Sequence, residues 1–344
     1  MSPSGWIVLD KPLGLGSTQA VAAVKRNLRE AGFGKGIKVG HGGTLDPLAT
    51  GILPIALGEA TKLCGRMLDA SKVYAFTVAF GVETDTLDLE GKAVAQSETR
   101  PSLTEVEAIL PRFTGPIEQV PPAYSAIKVD GERAYDLARA GAEVALKSRG
   151  VIVFALKILP GTGRGTMQSM VEGQGHGRAN GEAGASPMMP LHQPVAGPPP
   201  RAGEELGSIT LQAHVSKGTY IRSLARDIAR ALGTVGHVTM LRRLKAGPFG
   251  ENQAISLDKL NEVGKGAPLE NVLLPLEAGL VDIPALDLGP EQARAVHQGR
   301  VLTGLPHDDG LYWARAGQRP LALVELSGGS LTVSRGFNLP DVAE

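Results

Sequence analysis

An α+β fold is what this sequence predicts, on three observations. Through residues 72–81 the side chains of Val73, Ala75, Thr77 and Ala79 alternate with those of Tyr74, Phe76, Val78 and Phe80, the period of a strand. Val21, Val24 and Leu28 recur at helical spacing within residues 18–30. From about Gly279 onward the composition shifts to short β segments at residues 311–314, 321–326 and 330–333. Strands and helices therefore share one chain, and the end of the chain is set apart.

The elements follow in order. Residues 6–9 read as a buried strand and 11–16 as a turn, after which Ser17 is a fitting N-cap for the helix over 18–30. A short helix over 102–110 opens with a capping box, Ser102 followed three residues on by Glu105. Another runs from Tyr135 and stops at Gly141, and a further one follows Ser223 to about Leu232 and stops at Gly233. Residues 150–159 and 208–215 both read as strands. The 48 residues between them, 160–207, hold 11 Gly and 7 Pro and no aromatic residue. Such a stretch cannot bury enough apolar surface to offset its ordering entropy, and a disordered insertion is expected. Residues 251–278 are expected as a helical tail.

At 344 residues the chain can bury a large core and hold more than one domain. Its 35 basic and 35 acidic residues balance, so no global charge announces a polyanion as partner. Locally the balance breaks. Residues 214–250 carry Lys217, Arg222, Arg226, Arg230, Arg242, Arg243 and Lys245 against Asp227 alone, while 81–119 are acidic. That is the footprint of a polyanion-binding face, or equally of a solvated helix. Cys64 is the only cysteine, which rules out an internal disulfide and makes a Cys-based metal site implausible. The seven His residues include no H-x-x-x-H pair, so no metal is expected. Without a signal peptide or an apolar run of membrane-spanning length, the expected protein is soluble and cytoplasmic.

The most informative segment is residues 40–63, GHGGTLDPLATGILPIALGEATKL. Asp46 stands there between a Gly-rich turn and Pro47. Local physics offers two readings of it: a helix N-cap with Pro at the first helical position, or a carboxylate held for chemistry. The string as a whole resembles the catalytic motif of the tRNA pseudouridine synthase B family, G-H-x-G-x-L-D-P-x-A-T-G. Gly40, His41, Gly43, Leu45, Asp46, Pro47, Ala49, Thr50 and Gly51 match it. Five further blocks follow the family's order: 6–12 with Gly14 and Ser17; 74–76 with Gly81 and 84–88; 119–126 with 131–135; 216–222; and 241–244. Together they cover most of residues 5–250.

The resemblance implies a pseudouridine-synthase core with a mixed, largely antiparallel sheet flanked by helices, over residues 1–278. It also implies a small β-rich, PUA-like RNA-binding domain over 279–344. The family joins the strands around 160–207 by a short turn, so the insertion departs from its pattern. The implied activity is isomerisation of uridine to pseudouridine in the T-loop of tRNA, at uridine 55. The C1′–N1 bond breaks, the uracil turns and C5 rejoins the sugar. Nothing is oxidised, so no cofactor is needed. The residues carried over are Asp46 as the catalytic carboxylate and Arg222, on the family's K-G-x-Y-I-R strand, as its ion-pair partner. Tyr74 is the ring against the target uracil and Tyr220 a second active-site tyrosine. Leu241 is an apolar contact under the base, and His41 occupies the place of the flipped-out nucleotide. Tyr74 and Leu241 read equally as ordinary core residues. Lys62, Arg242, Arg243 and Lys245 are candidates for phosphate contacts. The expected partner is the T-arm stem-loop of tRNA, with a monomeric protein and no obligate protein partner. An RNA-binding chaperone using the same groove is the alternative. A nucleotide site on residues 40–44 lacks the G-x-x-x-x-G-K-[ST] spacing.

Overall fold

Four consecutive buried side chains, Trp6, Ile7, Val8 and Leu9, begin the structure. A strand covered on both faces reads as a continuous apolar run, and Gly5–Lys11 pairs antiparallel with Ala49–Leu57 from Gly5↔Leu57 to Lys11↔Gly51. The computed structural model describes residues 3–34, 36–125, 127–129, 131–141, 146–160 and 205–339. They divide into two compact units, one made of Met1–Val73 with Arg242–Glu344 and the other of Tyr74–Leu241. The mixture of sheets and helices is the α+β class expected.

In the first unit Val39–His41 also pairs with Ala49–Leu57, which lies beside the last residues of the strand Gly236–Ala246. The first helix is Ser17–Glu30, one residue longer than its pattern suggested. Its N-cap is Gly16, whose N–H donates to Gln19 Oε1 at 2.7 Å. Ser17 is not the cap, because its hydroxyl is engaged elsewhere. The expected helical tail over 251–278 is only partly helical. Leu257–Gly264 is an α-helix, but Leu269–Asn271 and Leu276–Gly279 are single 3₁₀ turns, each preceded by a proline that cannot continue a helix.

The short β segments near the end form a five-stranded sheet of their own. Ala285–Asp287 runs parallel to Gly310–Ala316, which continues antiparallel into Arg319–Ser327 and Ser330–Gly336, with Leu302–Thr303 at the edge. The helix Pro290–His297 packs Ala293 and Val296 onto Leu286, Leu321 and Val324. Trp313 and Phe337 leave that core and join Trp6, Val8, Ile52 and Phe249 in another. At the seam Lys62 Nζ donates to Gly336 O at 2.7 Å, and Asn338 N–H donates to Glu59 Oε2 at 2.6 Å.

In the second unit the strand order is Gly236–Ala246, Lys72–Phe80, Ser208–Val215, Arg149–Ile158, Gly115–Gln119, the first two of these strands beginning or ending in the other unit. One face carries Phe76, Val78, Ile209 and Leu211, covered by Leu224, Ala225 and Ile228 of the helix Ile221–Ala231 and by Val106 of Leu103–Ile109. The capping box at Ser102 is present, with Glu105 N–H donating to Ser102 Oγ and Ser102 N–H donating to Glu105 Oε2. No helix among the described residues is long and apolar enough to cross a membrane.

Residues 161–204, most of the expected insertion, lie outside the described residues. Their flanks are well placed. Leu159 N–H donates to Thr210 O and Ile158 pairs with Leu211, while Glu205 bridges Ser102 and Leu206 is 3% exposed in the core. Glu205 and Leu206 thus belong to the fold. Replacing 161–204 by a Gly/Ser linker of about ten residues, which reaches roughly 17 Å, is expected to leave the thermal midpoint unchanged within error. Extending the deletion through Leu206 is expected to cost about 1.5–3 kcal/mol in a denaturant titration.

Candidate active site

Asp46 caps no helix. Its carbonyl accepts from Ala49 N–H at 3.0 Å, closing a tight turn, and Ala49 begins a strand. The capping reading of the Asp-Pro pair is thereby removed. What the turn does is present a half-buried carboxylate between two anchored neighbours. On one side Ser17 Oγ takes the N–H of Leu45 at 2.8 Å and donates to its carbonyl at 3.0 Å. On the other side Pro47 O accepts from Lys11 Nζ at 3.3 Å and from Gly14 N–H at 2.9 Å.

Lys11 is fully buried and is an unpredicted member of the site. Its ammonium also donates to Pro12 O at 3.0 Å and Leu15 O at 2.6 Å. Burial lowers its pKa from 10.5 to about 8, with Asp46 pulling upward and Arg243 pushing down. His41 accepts Gly43 N–H through Nδ1 at 3.3 Å, and burial, then Arg243, lower its pKa below the usual 6.5. Its ring is therefore neutral at pH 7.

The phosphate candidates fare differently. Arg243 is 1% exposed, and its guanidinium donates to Ile52 O at 2.7 Å, Gly43 O at 3.0 Å and Thr44 O at 3.3 Å. A side chain so enclosed does not reach a phosphate, and that expectation is corrected. Arg242 is gripped bidentately by Asp10 at 2.9 and 3.0 Å and reaches Glu251 at 2.7 Å. Lys62 is shared between Glu59 and Gly336 O. Other arginines of the basic stretch are also paired with acidic residues, Arg230 with Glu83 and Arg226 with Asp227, although Arg230, Lys217 and Lys245 stay exposed.

In the second unit Arg222 and Tyr220 stand together at the start of the helix Ile221–Ala231. The resemblance put Arg222 on a strand. That strand ends at Val215, however, and Gly218 turns with φ +79°, so Tyr220 becomes the N-cap and Arg222 a first-turn residue. The buried side chain of Gln119 holds the Tyr220 backbone from both sides, accepting its N–H at 2.8 Å and donating to its carbonyl at 3.1 Å. The Arg149 guanidinium lies over the Tyr220 ring, 4.9 Å from its centre. Arg222 is 6% exposed. It donates to Thr86 O at 2.7 Å and Tyr124 O at 3.0 Å, and its Nη1 lies 3.4 Å from Asp88 Oδ2. Asp88 is itself buried, bonded by Thr86 Oγ1 at 2.5 Å and by Glu90 N–H at 3.1 Å. Between these two lies Leu87 with φ +63°, a backbone conformation that a branched residue adopts only under constraint. Tyr74 and Leu241, half-buried, pack against this unit's core cluster.

Lys11, Ser17, Asp88 and Gln119 were absent from the expected site. Each sits within a motif block noted in the sequence. Nothing local, though, separates a lysine that closes a carbonyl cage from one on a surface turn.

Comparison with known proteins places the chain. Residues 27–174 match the family model described as TruB family pseudouridylate synthase (N terminal domain), and residues 222–281 that of the tRNA pseudouridylate synthase B C-terminal domain. A tRNA pseudouridine synthase B of Novosphingobium aromaticivorans is 68% identical over 340 residues, 99% of each chain. One of Zymomonas mobilis is 50% identical over 97% of this chain and 96% of its own. Among solved structures, a chain of a Cbf5-Nop10-Gar1 complex superposes with a TM-score of 0.65 at 23% identity, covering 98% of this chain and 85% of that one. At that identity the likeness speaks for the fold alone.

Proposed function

The chain belongs to the TruB family of pseudouridylate synthases, and on that footing we propose that it isomerises uridine 55 in the tRNA T-loop to pseudouridine with Asp46 as its catalytic carboxylate. It is an isomerase, a pseudouridine synthase acting on tRNA, as its relatives at 68% and 50% identity are named. The observation that supports Asp46 is the turn that carries it. The whole motif is present, and the backbone on both sides of the carboxylate is tied to buried side chains while the carboxylate itself stays half-exposed.

Cleavage of the C1′–N1 bond builds positive character at C1′. An ionised carboxylate there stabilises that charge, forms an adduct or takes a proton. The remaining roles rest on the family resemblance. Tyr74 stacks on the uracil and accepts the C5 proton, and Tyr220 and Leu241 flank the base. Arg222 is the ion-pair partner of Asp46, and His41 fills the gap left by the flipped nucleotide. Residues 279–344 act as a PUA-like RNA-binding module behind a catalytic part of residues 1–278. The protein works as a cytoplasmic monomer without a cofactor. Incubating unmodified tRNA with the pure protein alone and mapping pseudouridine tests the proposal, and an unmodified position 55 refutes it.

The Lys11 cage gives a pH dependence. Near pH 8 the buried ammonium loses its proton, so two N–H bonds remain for three carbonyls and a positive charge beside Asp46 disappears. The single-turnover rate is expected to fall along an alkaline limb centred near pH 8, and Lys11→Arg should displace that limb upward. Stability moves the other way. The folded pKa lies below that of the unfolded chain, so between about 8 and 10.5 the unfolded state holds the extra proton and this group makes stability rise with pH. Thermal unfolding across the same range therefore separates a lost rate from a lost fold.

A further inference from the structure

We infer that Arg243 is a positioning residue of the reaction, clamping through backbone carbonyls the loop that carries Asp46. The inference rests on the assignment of Asp46 made above. Three of the five N–H groups of the guanidinium point to carbonyls, and the placement of those carbonyls is the argument. Gly43 O and Thr44 O lie just before Asp46, and Ile52 O lies within the strand that follows the turn. One planar group thus ties the entrance of the segment to its exit.

The glycines of the segment fit the same purpose. Gly51 has φ +97°, and a Cβ there would fall 2.2 Å from the carbonyl oxygen of Arg243, so only glycine lets the strand bearing Arg243 approach so closely. Gly43 lies against Arg243 Nη1 and has φ +136°, a backbone conformation that L side chains rarely adopt. Two glycines of the motif therefore form the seat of one arginine that lies almost two hundred residues away in sequence. With Ser17 on Leu45 and Lys11 on Pro47, the guanidinium completes a set of ties made to main-chain atoms on either side of Asp46. A misplacement of about 1 Å at a reacting group costs on the order of 10²-fold in rate. Lysine cannot replace the fork, since its three donors radiate from one atom.

The test compares Arg243→Lys, Arg243→Gln and Asp46→Asn, each assayed at a temperature where near-UV circular dichroism shows it fully folded. The measurements are the single-turnover rate of pseudouridine formation and the Kd for a T-arm stem-loop as a function of salt. The two Arg243 variants are expected to lose about 10–100-fold in rate, with Kd and the slope of log K against log salt unchanged. A normal rate in a folded Arg243→Lys overturns the inference. So does a weakened Kd with the salt slope reduced by about one, the mark of a lost phosphate contact. If neither variant folds even at 10 °C, Arg243 is a structural cation and the inference also fails. Failure of the underlying assignment is distinguishable, because Asp46→Asn would then retain turnover.

Discussion

Asp46→Asn is expected to lower pseudouridine formation by at least about 10³-fold while leaving both fold and RNA affinity nearly intact. The substitution keeps the size of the side chain and one carbonyl oxygen but removes the charge on which cleavage of the glycosidic bond depends. The loop should not respond, because Ser17, Lys11 and Arg243 hold Leu45, Pro47, Gly43, Thr44 and Ile52 through backbone atoms that the substitution does not touch. Near-UV circular dichroism is expected to match the parent, so the lost rate can be read on a folded protein. Affinity for a T-arm stem-loop should hold or tighten, since phosphate and stacking contacts carry it and a repelling carboxylate has gone. Single-turnover assays beside equilibrium binding decide the matter. Near-normal turnover would strike out the catalytic assignment and favour the RNA-chaperone alternative.

Arg222→Met is expected to destabilise the protein by about 3–5 kcal/mol, the typical consequence of removing one partner of a buried ion pair. Arg222 and Asp88 are 6% and 8% exposed. With the guanidinium gone, Asp88 keeps its bonds from Thr86 and Glu90 but loses the nearby charge that offsets its desolvation. Thr86 O and Tyr124 O lose a donor in the same stroke. Methionine fills the volume without supplying any of this. Urea titration measures the loss, and Arg222→Met with Asp88→Asn should recover part of it by removing the stranded charge. A single variant as stable as the parent would show that the pair contributes nothing to folding.

Much of this structure was legible beforehand, and the reason differs by element. The strand Lys72–Phe80 and the helix Ser17–Glu30 announced themselves by period, because one face of each is buried. The capping box at Ser102 is a local device and was read locally. The Asp46 loop was visible as a motif, yet what holds it was not. Arg243 looked like a phosphate contact, because a sequence shows an arginine's charge but not the three carbonyls that enclose it. Ser17 looked like an N-cap for the same reason: a hydroxyl ahead of a helix is the usual cap, and only the fold reveals that Leu45 claims it. Arg222 was expected on a strand, and the structure sets it in the first turn of a helix. A turn at Gly218 and a backbone clasp from Gln119, about a hundred residues away, begin the helix two residues earlier.

The packing of Trp313 and Phe337 beside Trp6 and Val8 bears on how the molecule is made. The unit holding Tyr74–Leu241 is one continuous piece of chain, whereas the other is built from two separate segments. The opening strand of that two-segment unit bridges Leu274 and Ile255 and shares a core with Phe337, so its burial waits until residues as far as Phe337 have been synthesised. At about 5–20 residues per second that delay is roughly 17–66 s. Throughout it Trp6, Ile7, Val8 and Leu9 stay short of their final cover, a row of apolar side chains on a nascent strand. Residues 6–9 are thus finished long after their own synthesis, and for that interval they are a ready substrate for holding chaperones.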